Sequence, residues 1–290
     1  MTKLKRKELN YLERKMFAWI ELTPSCNLRC VHCYVNYDFE ANDGRTQIRF
    51  NPFVPELIDN LAKVGCKMVQ FIGGEPLLLK TKLEEYIKLA KSKNMEVEVY
   101  SNLTLLDKNE NLVNFFKEYG VYIATSFYSY DENTHDRITQ KPVSFRKTLE
   151  AIKKVLSKGI DVRVGIIIIK NLNDQHIKET IKFLQKLGIK KTSIRVDNIR
   201  EVGTEKTCEV ENSCLPGKAC FSYNGYVFPC IFFRNIILGK YPEDSFDKIM
   251  SNLKKFWLQK MFSDKNIRTA EKFMSRLGIQ QDLAKIVRIQ

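Results

Sequence analysis

Two kinds of hydrophobic pattern alternate through the first two thirds of the chain. Short segments rich in β-branched and aromatic residues predict six strands: FAWIEL, MVQFIG, EVEVYS, YIATSFY, VRVGIIII and TSIRVD. Between them, apolar residues recur at three and four positions and predict the helices PELIDNLAKVG, KLEEYIKLAKSKN, NLVNFFKEYG, SFRKTLEAIKKVLSKG and HIKETIKFLQKLG. Six strand–helix steps predict an α/β fold whose parallel sheet curls into a partial (β/α)6 barrel of the TIM type.

The periodic pattern stops near residue 200, where four cysteines lie in a stretch without a long helix or strand signal. Beyond it, SFDKIMSNLKKFWLQKMF predicts an amphipathic helix with Ser245 as its N-cap, and EKFMSRLGIQQDLAKIVRIQ predicts one or two more helical pieces. We therefore expect four parts. They are a basic N-terminal segment (1–16), the barrel (17–200), a small cysteine-rich extension (201–240) and basic C-terminal helices (241–290).

The composition fits a protein with a full hydrophobic core, since 44% of the 290 residues are hydrophobic. The longest apolar runs are too short to span a bilayer, and the N-terminus lacks the apolar region of a signal peptide. We therefore expect a soluble cytoplasmic protein without a membrane partner. In that reducing compartment, clustered cysteines favour metal ligands or redox groups over structural disulfides.

The net charge of +14 is concentrated at the two ends, because residues 1–15 and 254–290 supply 10 of the excess positive charges. One reading is two solvated, lysine-rich amphipathic ends. The other is a positively charged surface that binds an acidic partner, either a peptide or a nucleic acid. The chain shows no nucleic-acid-binding motif, and its aromatic residues are not interleaved with the basic runs, which argues against a nucleic acid.

Three cysteines crowd into the stretch ELTPSCNLRCVHCY, directly after the first predicted strand. Cys26, Cys30 and Cys33 are spaced CxxxCxxC, and catalytic residues of such barrels lie at the carboxyl ends of the strands. Three thiolates on one loop can reach three corners of a cube, and soft sulfur ligands select iron–sulfur clusters or zinc. Zinc would want a fourth ligand, for which His32 is the nearby candidate. Three ligands with one metal corner open favour a reactive cluster.

This motif, together with FIGGEPLL after the second strand, resembles the signature of the radical S-adenosylmethionine (radical SAM) enzymes. The resemblance implies a four-iron four-sulfur cluster whose open iron chelates SAM, and a 5'-deoxyadenosyl radical formed from SAM. By resemblance, Cys26, Cys30 and Cys33 hold the cluster and His32 lies near the adenine. The SAM amino group would be cradled by Gly73, Gly74, Glu75 and Pro76.

The same family often places polar SAM contacts at the ends of later strands. By resemblance these are Ser101 and Asn102 after the third strand and Ser126 after the fourth, although ordinary strand-end polar residues would look the same. The following FYSYDENTHDRITQKPVSFRKTLEAI also resembles the family, and we expect its His135 and Asp136 to form a turn and a helix cap.

The second cysteine group resembles the start of a SPASM domain, an extension that binds auxiliary four-iron four-sulfur clusters. The match rests on Cys208, Cys214 and Cys230 around Gly225, and the overall resemblance covers residues 17–240. No cysteine follows in the last 60 residues, so at most one auxiliary cluster is expected, as in the shortened twitch form. Cys220 is its candidate fourth ligand. The alternatives are an open cluster that binds substrate, Cys220 as a hydrogen donor, or a zinc knuckle of all four cysteines.

Enzymes with such extensions often modify ribosomally made peptides, so the resemblance implies oxidative cross-linking, carbon–carbon or thioether, of a precursor peptide. The auxiliary cluster would accept the electron left by hydrogen abstraction. A flavodoxin or ferredoxin would serve as reductant, and the basic ends could hold an acidic leader. With about 16 residues before the first strand, we expect no winged-helix recognition domain.

Two alternatives to the peptide maturase stay open. One is a radical SAM dehydrogenase or epimerase acting on a small metabolite or a peptide residue. The other is a cluster-bearing scaffold or electron-transfer protein, against which the intact GGEP motif argues, because an electron carrier needs no SAM site.

Overall fold

One sheet of nine strands organises the molecule, seen in a computed structural model that describes residues 16–33, 48–106, 109–199, 217–234 and 236–262, with side chains to residue 257. The strands are β1 (Phe17–Glu21), β2 (Met68–Ile72), β3 (Glu96–Tyr100), β4 (Tyr122–Ser126), β5 (Val162–Ile168), β6 (Ile194–Asn198), β7 (Lys218–Phe221), β8 (Tyr226–Phe228) and β9 (Gly239–Lys240). The described helices are α1 (Val54–Lys63), α2 (Lys80–Ser92), α3 (Glu110–Glu118), α4 (Glu132–Thr139), α5 (Ser144–Ser157), α6 (Ile177–Lys186) and α7 (Phe246–Phe262).

The strands run in the order β6-β5-β4-β3-β2-β1-β7-β8-β9. The first six are parallel and joined by helices, which confirms the predicted α/β fold, its six strands and the five helices between them. Sequence analysis did not predict that β7 would pair in parallel with the free edge of β1, with β8 and β9 following antiparallel. The described part of the expected 201–240 extension therefore continues the barrel sheet.

Helix α4 was not among the predicted helices, since His135 and Asp136 were expected to form a turn and a helix cap. It forms because the Asp131 carboxylate caps it, accepting from the Thr134 N–H at 2.8 Å. The side chain of His135 in this helix is buried against the rest of the molecule. The expected cap at Asp136 is confirmed, since its carboxylate accepts from the Phe145 N–H at 2.8 Å at the start of α5. Ser245 likewise caps α7, accepting from the Lys248 N–H at 3.3 Å.

The sheet separates a hydrophobic outer side from a polar inner wall. Alternate residues such as Ala18, Ile20, Val69 and Val97 are fully buried in the core shared with the helices. The residues between them belong to the inner face, as the period of two in a strand requires. No helix among the described residues is long and apolar enough to cross a membrane.

Candidate active site

A cavity of about 620 Å³ occupies the inner side of the sheet. At the carboxyl ends of the strands it is bounded by the cysteine loop, which we define as residues 26–33, and by the start of the GGEP loop, residues 73–76. The predicted site residues that line it are Cys26, Cys30, His32, Cys33, Gly73, Gly74, Ser101, Asn102 and Ser126. Four other predicted residues, Glu75, Pro76, Cys220 and Cys230, do not belong to the lining.

The three thiols of the cysteine loop are only partly exposed. Burial raises the pKa of Cys26 and of Cys30 to about 12, so both thiols stay protonated at neutral pH until a metal replaces the proton. Within the described residues, no three His, Cys, Asp or Glu side chains are placed to hold one metal ion. Close by, His32 lies edge-on to Tyr128 with 4.8 Å between ring centres, and its Nδ1 is buried without a hydrogen-bond partner among those residues.

The two glycines of the GGEP loop allow it to pack against the residues that lead from β1 into the cysteine loop. A Cβ on Gly73, whose φ is +143°, would lie 2.5 Å from the Thr23 carbonyl oxygen, and one on Gly74 would lie 2.0 Å from that of Ser25. The Gly74 N–H donates to the Thr23 carbonyl at 2.7 Å, and the Glu75 N–H donates to the Ser25 carbonyl at 2.8 Å. Only glycine permits this backbone-to-backbone approach, so the two loops form one unit.

Glu75 fastens this unit to the end of β3. Its fully buried carboxylate accepts from the Leu77 N–H at 2.9 Å, the Ser101 hydroxyl at 2.7 Å and the Asn102 N–H at 2.8 Å. Burial raises the Glu75 pKa to about 7, and these three hydrogen bonds oppose the shift. The structure therefore places Glu75 behind the cavity wall, where it holds loops together, and not in the wall.

The inner wall carries a polar network that the sequence analysis missed. The Arg163 guanidinium on β5 donates to both carboxylate oxygens of Glu98 on β3, at 3.0 and 2.7 Å, and lies 5.5 Å from the centre of the Tyr100 ring. Gln70 on β2 also donates to Glu98. All four line the cavity, together with Lys218. The alternation in EVEVYS, which puts Glu98 and Tyr100 on one strand face, was the available signal.

The second cysteine group is partly described. Cys208 and Cys214 lie outside the described residues, whereas Cys220 on β7 is fully buried and Cys230, two residues after β8, is 7% exposed. The pKa of Cys220 is raised well above its usual value, mainly by burial and secondly by the Glu21 carboxylate, with the neighbouring Cys230 thiol adding to the shift. The hairpin of β7 and β8 thus brings two of the four cysteines together beside β1.

Comparison with known families matches the Radical SAM superfamily model to residues 20–184. The chain belongs to the radical SAM superfamily. It is 29% identical over 191 residues to a GTP 3',8-cyclase of Aquifex aeolicus, covering 64% of this chain and 57% of the cyclase. It is 28% identical over 182 residues to the subtilosin biosynthesis protein AlbA of Bacillus subtilis, covering 62% of this chain and 39% of AlbA. The chain thus spans less than two thirds of either relative.

Solved structures share the fold of this radical SAM protein. Streptococcus suis SuiB bound to precursor peptide SuiA superposes with a TM-score of 0.67 at 15% identity, covering 91% of this chain and 70% of SuiB. The anSMEcpe protein with bound AdoMet superposes with a TM-score of 0.65 at 14% identity, and the match covers 82% of this chain and 81% of anSMEcpe. The partial barrel predicted from the sequence is therefore confirmed.

Membership of the family implies SAM and a four-iron four-sulfur cluster as cofactors, and the residues present fit both. Three thiols on one loop line the cavity, and Cys26, Cys30 and Cys33 would supply the soft sulfur ligands that a cluster requires. The unpartnered, buried Nδ1 of His32 beside them fits a polar ligand group arriving from the cavity.

Proposed function

We propose that the protein is a peptide maturase that forms an oxidative cross-link, carbon–carbon or thioether, in a ribosomally made precursor peptide. The observation that carries this proposal is the position of Cys220 and Cys230 beside β1, the strand that leads into the cysteine loop. An auxiliary cluster at that position would lie next to the cavity and could take up an electron from the substrate. Such an acceptor suits a net oxidation, as a cross-link requires.

In this proposal the chain's own residues hold and shield the reacting groups. Cys26, Cys30 and Cys33 would hold the cluster, and the cofactors bound there supply a 5'-deoxyadenosyl radical. The backbone of Gly73 and Gly74 would approach the SAM amino group, with His32 near the adenine. The inner face of the sheet would form one wall around a bound radical, which would limit its side reactions with water.

Further SAM contacts are proposed at the strand ends that line the cavity, namely Ser101 and Ser126. Ser126 is the better placed of the two, because the Ser101 hydroxyl already donates to Glu75. The Ser126 hydroxyl lies 3.0 Å from that of Tyr100 and also hydrogen-bonds Tyr128, and a hydroxyl with one hydrogen and two lone pairs can bond one further group.

The auxiliary cluster is proposed to be held by Cys208, Cys214, Cys220 and Cys230. Ligation by Cys220 is supported by its neighbour Cys230 and by its complete burial. A role for Cys220 as hydrogen donor is less well supported, since the residue is absent from the cavity wall. A donor must reach the substrate carbon directly.

A peptide substrate is supported by the fold shared with SuiB, which has been crystallised with its precursor peptide, and by similarity to AlbA, named for subtilosin biosynthesis. The polar cavity wall offers groups that could bind a peptide. Arg163 has N–H donors beyond the two that bond Glu98, and Lys218 also lines the cavity. The net charge of +14 suits an acidic leader. We propose a flavodoxin or ferredoxin as electron donor.

The test is anaerobic incubation of the reconstituted enzyme with SAM, a reductant and synthetic peptides encoded next to its gene. We expect one peptide to lose two hydrogen atoms by mass spectrometry, with one 5'-deoxyadenosine formed per product. Cys30→Ala should abolish both products, while the matched control Cys66→Ala, a buried thiol outside the cavity, should retain them.

Two results would contradict the cross-linking proposal. A peptide of unchanged mass that carries solvent deuterium at an α-carbon would show an epimerase. Formation of 5'-deoxyadenosine with GTP and with none of the peptides would favour the small-molecule alternative, which the similarity to GTP 3',8-cyclases supports.

A further inference from the structure

The side chain of Asn102 contacts a cysteine sulfur at the end of β3. Its Nδ2 lies 3.8 Å from Cys26 Sγ and 2.9 Å from Asn27 Oδ1, so each of its two hydrogens has an acceptor. The Leu28 N–H donates to the same sulfur at 3.4 Å. The Cys26 sulfur thus accepts one backbone and one side-chain hydrogen bond.

The orientation of this amide is fixed by its other end. Asn102 Oδ1 accepts from the Thr104 N–H at 2.9 Å and from the Thr104 hydroxyl at 2.7 Å. The same hydroxyl accepts from Asn27 Nδ2 at 2.7 Å, which closes a ring of three side chains. Since a backbone N–H can only donate, the oxygen of Asn102 must face Thr104 and its NH2 group must face the sulfur.

The ring is anchored to rigid elements on both sides. The Asn102 N–H donates to the buried Glu75 carboxylate at 2.8 Å, and its carbonyl accepts from the Thr148 hydroxyl of α5 at 3.0 Å. The backbone of Asn102 is therefore fixed, and its side-chain amide cannot swing away from Cys26 without breaking its part-buried hydrogen bonds to Thr104 and Asn27, which costs free energy.

We propose that Asn102 is a positioning residue that raises the reduction potential of the SAM-binding cluster by donating a hydrogen bond to Cys26. A reduced cluster carries more negative charge on its sulfurs, and an N–H dipole aimed at a sulfur stabilises that charge. Hydrogen bonds to the sulfurs are among the features that set cluster potentials. This role differs from the SAM contact that the family resemblance implies for Asn102, and it does not depend on the substrate.

The experiment measures the midpoint potential of the reconstituted, SAM-free enzyme by EPR-monitored redox titration. Asn102→Asp keeps the oxygen that Thr104 needs but removes the donor to Cys26, and we expect a lower potential. Asn27→Asp is the matched control, because it places a carboxylate in the same ring and leaves the contact between Asn102 and Cys26. We expect its shift to be clearly smaller. Iron content per chain establishes that each variant holds its clusters.

Equal shifts in the two variants would mean that charge alone acts, and an unchanged potential in Asn102→Asp would mean that the contact has no influence. Either result overturns the proposal. If Asn102→Asp fails to hold the cluster, Asn102→Leu removes the donor without adding a charge, and it must lower the potential in turn. A shift that appears only after SAM is added would instead assign Asn102 to SAM binding and also overturn the proposal.

Discussion

The two cysteine groups of this molecule lie in contrasting surroundings. Cys26, Cys30 and Cys33 sit on a loop at the mouth of the barrel and face a cavity of about 620 Å³. Cys220 and Cys230 lie in and beside the sheet, with 0% and 7% of their surfaces exposed. A cluster at the first position can meet a small molecule, whereas one at the second is shielded on its described side. In the function proposed above, the loop would carry the chemistry and the cysteines beside the sheet would carry the electron transfer.

A buried ion pair connects the two groups. Arg234, four residues after Cys230, pairs with Glu21, five residues before Cys26, and the side chain of Glu21 is fully buried. The other Glu21 oxygen has no hydrogen-bond partner among the described residues. Because β1 also pairs with β7, the two cysteine groups lie on neighbouring strands of one sheet.

The largest expected effect on activity comes from substitution in the cysteine loop. Cys30→Ala should abolish formation of 5'-deoxyadenosine, measured by liquid chromatography after anaerobic reconstitution, because a cluster with two cysteine ligands is not retained. The variant should stay folded by circular dichroism, since Cys30 is only partly buried. SAM cleavage at the wild-type rate in this variant would refute the assignment of the cysteine loop.

The role of Cys220 in the second cysteine group is tested by iron counting in a background that lacks the three loop cysteines. There, Cys220→Ala should lower the remaining cluster iron, because it leaves three of the four proposed ligands and weakens the site. Cys66→Ala in the same background removes a buried thiol remote from both groups and should leave the iron unchanged. Full iron in this background, together with lost turnover when Cys220→Ala is made in the otherwise wild-type enzyme, would favour a hydrogen-donor role instead.

The ion pair between Arg234 and Glu21 should contribute to the free energy of unfolding. Arg234→Met leaves the buried Glu21 carboxylate without its cation, and the free energy of unfolding should fall by roughly 3–5 kcal/mol in anaerobic urea denaturation. The double variant Glu21→Gln with Arg234→Met removes both charges and should recover most of this loss. Equal stability of the wild type and the single variant would show that the pair contributes nothing.

A smaller, pH-dependent effect is expected at Glu75. Its folded pKa of about 7 exceeds the ordinary value of 4.5, so the folded state binds a proton more tightly than the unfolded state. Stability from this group is therefore full below about pH 4.5 and is lost as the pH rises through 7, by at most about 1.4 kcal/mol per pH unit. Glu75→Gln should abolish this component. Stability profiles that stay parallel between pH 4 and 8 would contradict the raised pKa.

The sequence predicted those features that repeat with a period or follow a spacing. Alternation and helical periodicity located six strands and five helices, and CxxxCxxC with GGEP located the cavity mouth. Partners distant in sequence left no such signal. The pairing of β7 with β1 joins residues about 200 positions apart, and nothing in KACF marks it as a neighbour of FAWI. Two of the donors to Glu75, Ser101 and Asn102, likewise lie 26 and 27 positions away, where its own motif gives no sign of them.

The most direct test of the contrast between the groups is the response of each cluster's EPR spectrum to SAM. We predict that SAM changes the spectrum of the reduced wild-type enzyme and leaves unchanged the spectrum of the variant in which Cys26, Cys30 and Cys33 are all Ala. That variant would retain only the proposed auxiliary cluster, which Cys220 and Cys230 help to hold. A SAM-induced change in its spectrum, or no change in the wild type, would contradict the account.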